Sequence, residues 1–138
     1  MQGQVSRRLI GLGTALTLCI TFAGCQKAKP IPSAADIAAS QADAQKEIAQ
    51  AHVEAKKDVK NAAKLAGGDS KDVALARVTG SFDIAMANAD GAHTVALEQC
   101  LTLAPPAQQP CKDRADADYQ TAAANAKAQR LAQLQKTP

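Results

Sequence analysis

From residue 33 onward, apolar positions recur at helical intervals in three long segments, set apart first by glycines and then by prolines. The first opens at Ser33 with Asp36 three residues later, an N-cap signal, and nothing breaks it before Gly67-Gly68. Its stripe runs Ile37, Ala44, Ile48, Ala51, Ala55, Val59, Ala62, Ala66, the spacing of one face of a helix about 50 Å long. Alanine dominates that stripe, so it permits close approach of a second helix while contributing little burial of its own. The remaining positions, among them Lys46, Glu47, Glu54, Lys56, Lys57 and Lys60, form a solvated face.

Gly67-Gly68 offers a left-handed exit, and Asp69 or Ser70 with Asp72 begins a second helix that runs to about Leu103. Its inner stripe, Leu75, Val78, Phe82, Met86, Ala89, Leu97 and Leu101, is the most hydrophobic face of the chain and the expected core. Gly80 and Gly91 interrupt it, each costing about 1 kcal/mol relative to alanine, which predicts a kink or break. Pro105-Pro106 stops this helix. A third resumes near Gln108 to Pro110, with Asp113, Asp116 and Asp118 toward its start and Lys127, Arg130 and Lys136 toward its end, a polarity that suits the helix dipole. Lys112/Asp116 and Arg114/Asp118 are spaced as i,i+4 pairs. The pattern predicts an all-α fold, an antiparallel hairpin or three-helix bundle of long helices over residues 33–138.

Composition limits what such helices can bury. Alanine supplies about a quarter of the residues after Cys25, tryptophan is absent, and the aromatics are Phe22, Phe82 and Tyr119. Burial worth roughly 1.5–3 kcal/mol per large side chain therefore needs a supplement. Of the net charge of +3, Arg7 and Arg8 account for two; the remainder carries fourteen basic and thirteen acidic residues. That balance, with so few aromatic platforms, argues against nucleic acid as a partner.

Residues 1–24 have a different character. Arg7-Arg8 precede the run "LIGLGTALTLCITFAG", laid out as a secretory signal peptide. The run is shorter than the roughly 20 residues of a comfortable membrane span. Ala23-Gly24 directly before Cys25 resembles the lipobox of bacterial lipoproteins, although Phe22 stands where that family usually has leucine. The resemblance implies diacylglyceryl attachment to the Cys25 thiol and cleavage that leaves Cys25 as the first residue. It also implies that Gln26, being non-acidic, directs the protein to the outer membrane, facing the periplasm. Residues 25–32, "CQKAKPIP", are then a tether between lipid and folded part.

Cys100 and Cys111 stand equidistant from Pro105-Pro106, so a hairpin turning there brings them to one height, and export to an oxidising compartment lets them join. Loop closure of this size contributes roughly 3 kcal/mol. A redox pair is the rival reading, but the spacing lacks C-x-x-C geometry. His93 comes near the height of Asp118 in the same hairpin, an arrangement closer to a surface pair than to a catalytic dyad because no nucleophile accompanies it. Neither the three aspartates nor the dispersed His52 and His93 match metal-ligand spacing. The residues thus call for no cofactor, no metal and no enzymatic activity.

The segments "SFDIAMANADGAHTVALEQC" and "CKDRADADYQTAAANAKAQR" together resemble a group of small, alanine-rich exported proteins of proteobacteria, with the two cysteines and Tyr119 the most specific points. A looser similarity is to murein lipoprotein, from which the chain departs in its internal cysteines and in lacking a C-terminal lysine. The expected function is a non-catalytic structural or interaction role at the cell envelope, with membrane contact through the lipid and an envelope partner or self-association. The alternative is an inhibitor or immunity-type lipoprotein that captures a partner through the face around Phe82, Met86 and Leu97.

Overall fold

The computed structural model describes residues 30–65, 67 and 70–137. The expected signal peptide, Cys25 as the expected lipid site, and most of the expected tether lie outside the described residues. Three helices follow one another: α1 (Ala34–Leu65), α2 (Ser70–Leu101) and α3 (Pro105–Leu134). The fold is all-α, with the helices packed antiparallel in chain order and a disulfide near the second turn, as the pattern predicts. Among the described residues α1 packs on α2 and α2 on α3, while α1 and α3 do not touch. The result is a flat three-helix layer with α2 in the middle.

The first helix starts where its signal stands. Ser33 N–H donates to Asp36 Oδ2 at 2.7 Å, and Asp36 N–H donates to Ser33 Oγ at 3.2 Å, two reciprocal bonds that satisfy orphan donors of the first turn. The Ser33 hydroxyl also donates to that carboxylate at 2.7 Å, and these bonds, the side-chain one first, hold Asp36 below its ordinary pKa. The stripe from Ile37 to Ala62 is the half-buried face of α1, and no residue of α1 is fully buried. Gly67, at φ +57°, supplies the left-handed exit.

Gly80 and Gly91 neither kink nor break α2, which is continuous through both. They are points of close approach to α1. A Cβ built on Gly80 would stand 2.6 Å from Ala55 Cβ, and one on Gly91 2.9 Å from Ala44 Cβ. Both pairs are separated by eleven residues along their own helices, about three turns, so glycine meets alanine twice along one seam. What each glycine costs in propensity is offset by the packing it allows.

The core is smaller than the expected stripe. Val78 and Ala89 of that stripe are buried, but Leu75, Phe82, Met86, Leu97 and Leu101 are half-buried, and the other buried apolar residues are Cys100, Ala115, Ala123 and Ala126. Small side chains sit where two helix backbones approach most closely; large ones flank the seam and keep one side toward solvent.

The third helix begins earlier than expected. Pro105 and Pro106 occupy its first positions, where a missing N–H costs nothing, so the prolines that stop α2 also start α3. Gln108 Nε2 donates to the carbonyls of Leu101 and Leu103 at 3.3 and 3.0 Å, covering free acceptors at the end of α2. With the start at Pro105 the aspartates at 113, 116 and 118 lie about two turns or more into the helix, the first turn holds no acidic residue, and the last turn holds no basic one. The dipole complementarity expected for α3 is thus absent, since that effect fades within one turn.

Candidate functional site

The α2–α3 hairpin gathers most of the chemistry-bearing side chains. Cys100 and Cys111 form a disulfide with Cα atoms 5.5 Å apart, and Cys100 is 1 % exposed. The bond fixes the register of the two helices, and two further contacts follow at helical intervals from it. His93 stacks on Tyr119 with ring centroids 4.8 Å apart, and eleven residues farther from the turn on each helix the Arg130 guanidinium lies 4.9 Å over the Phe82 ring.

His93 Nε2 meets Asp116 Oδ1 at 2.6 Å, whereas equal height suggested Asp118. The correction is angular. Residues 116 and 118 stand about 200° apart around α3, so only one can share the flank that His93 occupies. Asp118 lies on the other side of the α2–α3 seam, in a groove of about 350 Å³ with an alanine floor that the seam rings of His93 and Tyr119 also border. Neither i,i+4 pair forms among the described residues: Asp116 meets His93 instead of Lys112, and Arg114 makes no ion pair with Asp118. Asp90, one turn before His93, hydrogen-bonds Tyr119; this bond, and then the negative charge behind it, raise the tyrosine pKa above its ordinary value.

The arrangement thus consists of a histidine between a carboxylate and an aromatic face, a phenol held by a second carboxylate, and an alanine-lined groove beside them. Its geometry suits fixing two helices in register. Among the described residues no group of three or more His, Cys, Asp or Glu side chains is placed to hold a metal ion. Phe82, Met86 and Leu97, the candidate partner face, lie half-buried on the flank of α2 toward α3, with Phe82 capped by Arg130. Cys25 is outside the described residues. Among the described residues no helix is long and apolar enough to cross a membrane.

The stacked and cation-bearing rings escape a reading by hydrophobic stripe, because their partners on α3 are Tyr119 and Arg130. A signal existed in the spacing: Phe82 and His93 are eleven residues apart, and so are Tyr119 and Arg130. Comparison with protein-family models, with curated proteins and with solved structures finds no match to this chain.

Proposed function

We propose that this chain is a lipid-anchored, non-catalytic protein of the cell envelope with a structural or protein-interaction role. The observation that carries the reading is the stretch Thr21–Cys25, where an apolar run ends in two small residues and a cysteine, only eight residues before the Ser33 cap. Acyl chains on Cys25, at about 0.8 kcal/mol per buried CH2, would hold a soluble domain at a bilayer without a spanning helix. The Cys100–Cys111 disulfide suits the oxidising compartment that such export implies. Helices of 30 and 32 residues laid in one layer give a long slab with two open faces, a shape fitted to contact rather than to enclosing a substrate.

Intact-mass measurement of protein extracted from the membrane fraction, with and without reductant, tests this reading. The expected mass is that of a chain beginning at Cys25 plus its acyl groups, rising by two hydrogens on reduction. An unmodified full-length chain in the cytosolic fraction, its thiols free, would overturn it.

A further inference from the structure

The seam between α1 and α2 has two sides of opposite charge. One is a groove of about 400 Å³ in which every charged or titratable lining residue is basic: His52, Lys56 and Arg77. On the other side the lining residues Asp43 and Glu47 are both acidic. Helical geometry extends the contrast along α1. At about 100° per residue its acids, Asp36, Asp43, Glu47, Glu54 and Asp58, fall within an arc of about 60°, while its lysines fall in a separate arc about 100° wide. The middle helix continues the acidic side with Asp72, Asp83 and Asp90 and the basic side with Arg77. The third helix is mixed, with Asp118 on the basic side and Lys127 on the acidic one.

A compact bundle would turn much of this surface inward. A flat layer leaves both sides open, and Lys56, Lys60, Arg77, Glu54 and Asp58 are all exposed. Among the described residues none of these five has an ion-pair partner, whereas Asp43 is held by Lys46 at 2.9 Å. With helices about 45 Å long set 8–10 Å apart, each face offers about 1,000 Å², more than the roughly 800 Å² per partner of a standard specific interface.

We propose that the occupant of these faces is a second copy of this chain, stacked basic face on acidic face. The stack rests on the structural reading proposed above, since tethers on one membrane hold all copies parallel and at equal height. In that register Lys56 and Lys60 of one copy lie over Glu54 and Asp58 of the next, on opposite flanks of the same turns of α1. The contact is head-to-tail, so it propagates instead of closing as a pair. Tethering raises the effective concentration at which such individually weak pairs act.

Carbodiimide cross-linking tests the stack, because it joins lysine to carboxylate only where the two are in contact. Unlabelled and 15N-labelled full chains, extracted in neutral detergent and mixed, are expected to yield links from Lys56 or Lys60 of one chain to Glu54 or Asp58 of the other. High salt should reduce these about tenfold, since the charges are exposed. The variants Lys56→Glu/Lys60→Glu and Glu54→Lys/Asp58→Lys should each sediment as monomers with unchanged helicity. Mixed in equal amounts they should reassemble, each supplying the face the other lacks. Links confined to single chains, or a mixture that stays monomeric, would overturn the proposal. Intact mass reports the anchor separately, so an absent lipid and an absent stack are distinguishable failures.

Discussion

Two glycines decide how closely the first two helices approach. Alanine at position 80 would gain helix propensity worth about 1 kcal/mol, yet its Cβ would stand 2.6 Å from Ala55 Cβ, and overpacking of that kind typically costs 1–3 kcal/mol. The neighbour is a backbone-bound methyl that cannot swing aside, so Gly80→Ala is expected to lower the thermal midpoint measured by circular dichroism. Adding Ala55→Gly should recover part of the loss by returning the space. At the hairpin, Tyr119 is the sole tyrosine of the chain, which makes its titration readable by near-ultraviolet absorbance. Its ionisation is expected above the ordinary tyrosine midpoint, and Asp90→Asn should bring it back by removing the charge that opposes the phenolate. Single residues also show how far the sequence was legible. Ser33, Gly67 and the two cysteines act as their local chemistry announces, because a cap, a left-handed turn and a hairpin staple depend on few neighbours. Gly80 and Gly91 read locally as a kink or break, because their role depends on Ala55 and Ala44, which no local rule brings to them.

At the scale of elements, each helix pairing uses small residues at the seam and needs help from elsewhere. For α2 and α3 that help is the disulfide, whose loop closure contributes roughly 3 kcal/mol by chain entropy. Reduction, or the double variant Cys100→Ser/Cys111→Ser, is expected to lower the hairpin's stability by about that amount in denaturant titration, with far-ultraviolet circular dichroism at zero denaturant little changed. A loss of helix at zero denaturant on reduction would mean that the alanine seam cannot hold α3 alone. The helices themselves were readable from periodicity to within a few residues. The start of α3 was not, since Pro105-Pro106 serve one helix as a stop and the next as a start. The later expected start also sets the aspartates at 113, 116 and 118 nearer to the positive end of α3 than they are. The polar part of the hairpin was read only in outline: the height of His93 was right, but the choice between Asp116 and Asp118 is angular and needed the position of the facing helix.

The whole molecule is a layer whose outer helices share no contact, so its stability is a sum of two seams and not a property of one common core. No residue of α1 is fully buried, and Leu65 at its end is 89 % exposed, whereas the hairpin has buried residues and a covalent link. Native-state hydrogen exchange is therefore expected to show amides of α1 exchanging faster than the central amides of α2 and α3. Uniform protection across the three helices would contradict a two-seam molecule. That arrangement has a mechanical corollary. A force applied at the N-terminal end of α1 reaches that helix first, and because α1 packs on α2 alone, the loaded helix can peel away while the stapled pair stays folded, an extensible arm that recoils when the tension ends.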